Sequence, residues 1–393
     1  MLISVCGMGL GHAARSLIVG REMKRRGWNV VFSAYGDEAC NLIRMSGFKL
    51  YEEPDIAYQL KPEGAVDFRL TIAKGPSAIY RFIRQLGCEL SVMIKERPDV
   101  VISDSRLSTV MAAYLLGKPC LLIVNQVKIV IPKLKPPRKL TLKVKNFAER
   151  VLCELLGVIW CRSRAIFIVD FPPPYTISKD NLEIPAKLLG KVKLVGPIIE
   201  RPTISEVGKT ELKRRLGLSG EKLIYASISG SKAEKGVLLK KVVYALANAN
   251  PNWFIVVSMG DPANAYPKTR KGNVEVHGWV GNRSNYLEAA DVLVTHGGHG
   301  TLVEALYHAV PMIVVPIKGH TERMGNAKAV EKLGVAKVVV LDERIDEGLK
   351  DALEEVLYNP SYRVKAKELK SKVLRYNGLK AVVEAAMAIA EKS

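Results

Sequence analysis

Apolar positions in this 393-residue chain fall into short, nearly uninterrupted runs, each ending in a polar corner and followed by a stretch with helical spacing. LISVC (2–6), Asn29 to Tyr35, Phe48 to Tyr51, PDVVISD ending on Asp104, CLLIVNQ (120–126), AIFIVD and VKLVGP ending at Pro197 read as one series of strands. KLIYASIS, WFIVVSMG (253–260), Val292 to Thr295, Met312 to Pro316 and Ala336 to Leu341 read as a second series. Helices are predicted at about Ala14 to Arg26, from Pro76 to Arg97, after Thr301, after Asn326, and from about Arg344 onward. Strands apolar on both faces, alternating with helices, predict the α/β class with parallel sheets covered on both sides. The length exceeds what one core usually organises. We therefore expect a first domain over 1–197, a linker over 198–208 in the polar, Pro-containing IIERPTISEVGK, a second domain over 209–375 and a terminal segment over 376–393.

The sharpest motif spans Asp291 to Ala327, DVLVTHGGHGTLVEALYHAVPMIVVPIKGHTERMGNA. A strand runs into a glycine-dense corner, His296 to Thr301, and then into a helix carrying Glu304. Gly297, Gly298 and Gly300 have no Cβ, so backbone can come close to a ligand, and the helix start points free N–H groups and its positive dipole end into the same space. Such a corner suits a phosphate, and Thr301 adds a hydroxyl. A second polar loop, Lys318 to Asn326, would leave the same carboxyl edge of the sheet, where open α/β folds place ligands. Two further strand-turn-helix corners accompany it. GMGLGHAAR is no dinucleotide fingerprint, because GxGxxG needs a glycine where His12 stands; SGSKAEKG, with Ser229, Gly230 and Ser231, is no Walker loop, because the GK[ST] ending is missing. Asp104, closing a strand before a helix, reads either as an N-cap or as a functional carboxylate.

Composition changes this picture in one respect. With 48% apolar and 25% charged residues the chain falls in the globular class. No apolar run approaches the ~20 residues of a membrane span, and the first strand starts at Leu2 without a charged leader, so a cytoplasmic location is expected. The six cysteines form no CxxC pair, as suits reduced thiols, and no His/Asp/Cys spacing suggests a metal. The net charge of +20, however, calls for anionic partners. VKIVIPKLKPPRKLTLKVKNFAER holds eight Lys or Arg against one Glu and precedes the apolar VLCELLGVIW. Two readings fit this stretch: a surface resting on anionic lipid headgroups, which would make the protein peripheral on the inner face of the cell membrane, or a solvated loop before an ordinary helix. Nucleic acid is not expected, since four Trp and eight Phe include no aromatic-interleaved basic motif.

The spacing of His296, Gly298, Thr301 and Glu304, followed by a Pro-bounded strand and by Glu322 four residues before Asn326-Ala327, resembles the donor-binding segment of the UDP-glycosyltransferases and the related peptidoglycan N-acetylglucosaminyltransferases, the glycosyltransferase family 28 C-terminal-domain type. The resemblance implies GT-B architecture: two Rossmann-like domains facing a cleft, the first binding acceptor and the second nucleotide sugar, with the last helix commonly crossing back to the first domain. It implies that His296, Gly298, Gly300 and Thr301, with Gly230 and Ser231 on the earlier turn, hold the donor diphosphate. Glu304 would take the ribose hydroxyls, Trp279 would stack on uracil, and the Val280 backbone would read the base edge. Asn282 stands where many members have Gln, and Asn326 closes the segment. In the first domain it implies His12 as general base with Asp104 orienting the ring.

The implied reaction is transfer of a sugar from a UDP-sugar, as co-substrate without cofactor or metal, to an acceptor hydroxyl with inversion at the anomeric carbon; the basic stretch would suit a lipid or glycolipid acceptor. A UDP-sugar 2-epimerase-like isomerase on the same fold is the alternative. One departure stands out. Most UDP-glycosyltransferases carry Asp-Gln where this chain has Glu322-Arg323, and an arginine suits a carboxylate or phosphate better than neutral hydroxyls. That pair reads either as a contact to an acidic group on donor or acceptor, or as a surface salt bridge of Arg323 with Glu322 or Glu331.

Overall fold

The computed structural model describes residues 1–391 except 9, 56–74, 128–138, 201–207, 219, 229–231, 262–268 and 318–319. It divides into two units. One takes in the described chain up to Ile199 together with Tyr376–Ser393, the other Glu200–Arg375.

In the first unit, β1 (Leu2–Val5), α1 (Leu10–Arg25), β2 (Val31–Ala34), α2 (Asp37–Met45), β3 (Lys49–Glu52), α3 (Gly75–Glu96), β4 (Val101–Asp104), α4 (Leu107–Leu115), β5 (Cys120–Val124), α5 (Lys139–Trp160), β6 (Ala165–Ile168) and β7 (Val192–Leu194) follow in order. The sheet runs β3-β2-β1-β4-β5-β6-β7, with every pair parallel. The central strands β1, β2, β4 and β5 are buried along their whole length because each face of the sheet has its own cover. Ile3 joins a cluster with Leu17 of α1, Ile43 of α2 and Val382, Val383 and Ala386 of the terminal helix, Gly378–Ala390. Leu2 joins the opposite cluster, with Met93, Val110, Leu156 and Trp160 of α3, α4 and α5. Full burial of such side chains contributes about 1.5–3 kcal/mol each.

Strand order reverses between β1 and β4, and their register pairs Val5 with Asp104. The turn after β1 and the end of β4 therefore meet at one switch point, where open α/β sheets carry their sites. Helix α1 begins at Leu10, four residues before the expected start, so His12 lies in its first turn and not in the preceding loop.

In the second unit follow α6 (Lys209–Arg215), β8 (Lys222–Ser227), α7 (Lys232–Ala249), β9 (Trp253–Ser258), β10 (Thr269–Lys271), β11 (Val274–His277), α8 (Arg283–Ala289), β12 (Val292–Thr295), α9 (His299–His308), β13 (Met312–Val314), α10 (Thr321–Lys332), β14 (Ala336–Val338), α11 (Ile345–Tyr358) and α12 (Pro360–Val373). Their sheet is β10-β11-β9-β8-β12-β13-β14. Only β10 runs antiparallel, against β11. That short edge hairpin has three exposed residues in β10 and hence no apolar run to announce it. Order reverses between β8 and β12, where Thr295 pairs with Ser227, so the turn at His296 leaves this sheet's own switch point.

Candidate active site

In the first unit the turn after β1 is set by Gly7, where a Cβ would meet the Tyr35 carbonyl oxygen at 1.8 Å. The helix that follows aims three side chains at the end of β4. His12 Nδ1 lies 2.7 Å from Asp104 Oδ1. Arg15 donates from Nε to Oδ2 at 2.6 Å and also pairs through Nη2 with Oδ1, while Ser16 Oγ donates to Oδ2 at 2.9 Å. Arg15 reaches Asn125, just past β5, through Nη1. Asp104 is fully buried.

Burial alone would raise the Asp104 carboxyl, but the charge of Arg15, then that of His12, and the hydrogen bonds from both hold it well below the ordinary carboxylate range. It is therefore an anion that only accepts. His12 Nδ1 accordingly carries its proton toward Asp104, and in the neutral ring Nε2 keeps the free lone pair. Arg15 Nη2, 2.9 Å from the same Nδ1, cannot also donate there and is engaged by the carboxylate. The ring is 19% exposed, enough to meet a hydroxyl from outside. The N-cap reading of Asp104 is thus corrected: α4 is capped at Arg106 with no side-chain bond, because the Asp104 carboxylate is taken up by α1.

In the second unit the three glycines of the turn have three different causes. Gly297 has φ +91°, and a Cβ there would lie 3.0 Å from the Arg323 carbonyl oxygen and 3.1 Å from Val314 Cγ1. At Gly298 a Cβ would lie 3.1 Å from His296 Nε2, so the ring folds back over the turn. Around Gly300 nothing lies within 4 Å of the Cβ position.

His296 is buried. Burial first, then the charges of Arg323, His320 and Arg283, keep it well below its ordinary value, leaving a neutral ring that can hydrogen-bond but brings no charge. Asn326 is fully buried, with Nδ2 donating to the Gly297 carbonyl at 3.2 Å and Oδ1 without a partner among the described residues. Thr301 Oγ1 accepts from Arg283 Nη2 at 2.9 Å, and Arg283 Nη1 lies 3.1 Å from Glu304 Oε2. Burial pushes the Glu304 carboxyl up, Arg283 opposes this, and Glu200 adds to it. With the two side chains 31% and 29% exposed, such a pair contributes roughly 0–1 kcal/mol.

The structure thus brings His12 and Asp104 together in one unit, and His296, Gly298, Thr301, Glu304 and Asn326 together in the other. Trp279 is half-buried, Val280 is buried, and Asn282 is exposed at the N-cap of α8 with no side-chain capping bond. Glu322 and Arg323 occupy the first turn of α10, while the Glu331 carboxylate accepts from Val338 N at 2.9 Å. Gly230 and Ser231 lie outside the described residues. Among the described residues no group of three or more His, Cys, Asp or Glu could hold a metal ion. Two residues escaped the sequence reading. Arg15 could have been found, being three places after His12 and hence on the same helical face. Arg283 could not, since its partners lie on another helix.

Residues 237–381 match the family model of the glycosyltransferase family 28 C-terminal domain. Over 389 residues the chain is 28% identical to a glycosyltransferase of Methanosarcina mazei, covering 98% of this chain and 97% of that one. It is also 28% identical to the oleandomycin glycosyltransferase of Streptomyces antibioticus over 159 residues, 40% of this chain and 36% of the relative. Among solved structures, the kitacinnamycin glycotransferase superposes with a TM-score of 0.68 at 20% identity, covering 99% of this chain and 98% of the other. The spinosyn rhamnosyltransferase does so with 0.66 at 16% identity, covering 98% and 99%. The architecture is therefore GT-B, built from two Rossmann-like α/β domains. The chain is a glycosyltransferase, and most of the stretch that matches the family 28 model lies in its second unit.

Proposed function

We propose that the protein transfers a sugar from a UDP-sugar to an acceptor hydroxyl in one displacement that inverts the anomeric carbon, with no metal or cofactor taking part. The observation that carries this reading is the 2.7 Å contact of His12 Nδ1 with the buried Asp104 anion, which leaves Nε2 free as a base at a switch point of the first sheet. As the acceptor oxygen bonds to the anomeric carbon its proton passes to His12 Nε2, and Asp104 stabilises the imidazolium that forms. The bond from that carbon to the diphosphate breaks, and its electron pair leaves with the diphosphate. Fixed N–H groups at the start of α9, the His296 ring and the Thr301 hydroxyl receive the charge that develops. Glu304 would hold the ribose and Trp279 would stack on the base.

Two finer readings belong to the same proposal. Arg323 in the first turn of α10 supports an acidic group on donor or acceptor. Exposed Phe147, Val151 and Val158, on one face of α5, support a lipid-linked acceptor met at an anionic membrane surface. No helix among the described residues is long and apolar enough to cross a membrane, and the basic residues 128–138 lie outside them.

Thermal stabilisation by a panel of nucleotide sugars, uronic acid donors included, tests the donor. UDP-sugars should raise the melting temperature by mass action, and no response to any of them would sink the assignment. An R323Q variant with unchanged preference would remove the acidic-group reading. Sedimentation equal on neutral and anionic liposomes, or absent from both, would remove the membrane reading.

A further inference from the structure

Arg283, the first residue of α8, reaches across to the start of α9 and stands between two groups with different tasks. Its Nη2 serves the Thr301 hydroxyl at the mouth of the glycine turn, and its Nη1 lies 3.1 Å from Glu304 Oε2. The second contact is an ion pair without hydrogen-bond alignment, for among the described residues Glu304 Oε2 has no hydrogen-bond partner; Arg283 Nε is buried and also lacks one among them. The guanidinium is therefore held loosely, with donor capacity to offer. On α10, Asn326, whose Nδ2 donates to the Gly297 carbonyl of the same turn, is fully buried with Oδ1 unpartnered among the described residues. Neither the neutral His296 imidazole nor the backbone amides of this turn bring a diphosphate a full charge; Arg323 and Arg283 are the arginines whose charges bear on that ring. A planar guanidinium supplies that charge in the fork geometry phosphate oxygens accept.

We infer that Arg283 is a specificity-determining residue of the donor site, one that clasps Glu304 in the free protein and on donor binding turns to the diphosphate, releasing the carboxylate to the ribose hydroxyls. This rests on the nucleotide-sugar reading of the turn given above. Thr301 already places the guanidinium at the helix start, and the Glu304 contact it gives up is an ion pair without hydrogen-bond alignment.

Titration calorimetry of the full chain with UDP, uridine and inorganic pyrophosphate tests the exchange. R283Q should weaken UDP 10- to 100-fold, change uridine by less than threefold, and flatten the salt dependence of UDP binding; R283K should fall between. E304Q should weaken uridine several-fold and tighten pyrophosphate, because the carboxylate no longer competes for the guanidinium. A merely propping role for Arg283 would not produce that opposite pair of shifts. R283Q weakening UDP and uridine by one common factor, or E304Q leaving pyrophosphate unchanged, would overturn the inference. Pyrophosphate also separates the two levels of the claim. A wild-type chain that binds it but not uridine loses only the base assignment, R283Q binding it as the wild type does loses only the arginine, and a wild-type chain that binds none of the three loses both.

Discussion

The turns after β1 and after β12 grow from the same local pattern, a buried strand ending in glycines at a switch point and then a helix, yet they are finished in opposite ways. At the first, every oxygen of the Asp104 carboxylate is taken: His12, Arg15 and Ser16 close around it, and its charge is fixed. At the second, the polar groups are only partly used, with Asn326 Oδ1, Thr295 Oγ1 and Arg283 Nε unpartnered among the described residues. A satisfied buried network holds one geometry before any ligand arrives, whereas an unsatisfied one is completed by what binds. The first arrangement suits proton transfer and the second suits ligand capture. The largest expected effect follows from this division. His12→Ala should lower kcat by about 10²- to 10⁴-fold, the usual contribution of a positioned base, while the affinity for UDP stays unchanged. Equal losses in both would show that the two turns do not divide the work.

Asp104→Ala breaks the comparison from the side of stability. It leaves the Arg15 guanidinium buried without its anion, a loss of about 3–5 kcal/mol when one partner of a buried pair is removed. Chemical denaturation reads this directly. The pH dependence has a definite sign: the folded carboxyl lies below its unfolded value of about 3.9, so its stabilisation is complete above that pH and is lost as pH falls below it. In Asp104→Asn that acid-side loss should be flatter. An unchanged slope would mean that Arg15 and His12 do not hold the charge.

How much of this was visible in the chain follows from the same contrast. The sheets were legible because strands buried on both faces show as unbroken apolar runs, and LISV, VISD and VLVT each became a strand buried along its whole length. The Asp104 carboxylate was legible only as one of two readings. What brings it to the turn after β1 is the register placing Asp104 beside Val5, a long-range pairing that no local pattern encodes. Arg15 was hidden because a charge on a helix ordinarily faces water, and here the helix runs over the end of a neighbouring strand. Arg283 was hidden for a similar reason, its partners lying 18 and 21 positions away on another helix. The hairpin strand β10 was hidden because nothing in it is buried.

A smaller effect distinguishes the units by their response to mild acid. His308 in α9, bonded to Ser284 across 3.1 Å, is pushed down to about 4 by burial first and then by the charges of Lys370 and Arg283. Its unfolded value is about 6.5, so between these limits the unfolded chain binds more protons. Stability from this group is complete above about pH 6.5 and falls as pH drops toward 4, by at most about 1.4 kcal/mol per pH unit. His296, also held low, acts in the same direction. His308→Gln should therefore reduce the slope of melting temperature against pH in that window while His296 retains the rest. A slope unaffected by the substitution would show that the ring is not held neutral by its surroundings.

The smallest expected effect on the fold is also the most discriminating about the turn. Gly297 and Gly300 look alike in the chain, but Gly297 carries φ +91° with no room for a Cβ, whereas Gly300 sits in the first turn of α9 with open space where a Cβ would be. Gly297→Ala should cost stability outright. Gly300→Ala should leave the unliganded protein as stable as before or up to about 1 kcal/mol more so, because alanine is the better helix former. If the space before Gly300 is where a diphosphate presses against the backbone, the same methyl group should weaken UDP about tenfold, since a ligand cannot approach the amide past it. Melting curves with and without UDP test both halves at once. A variant that melts higher alone and gains less from UDP marks this glycine as kept for the ligand. A variant that gains as much from UDP as the wild type would place the phosphate elsewhere on the turn.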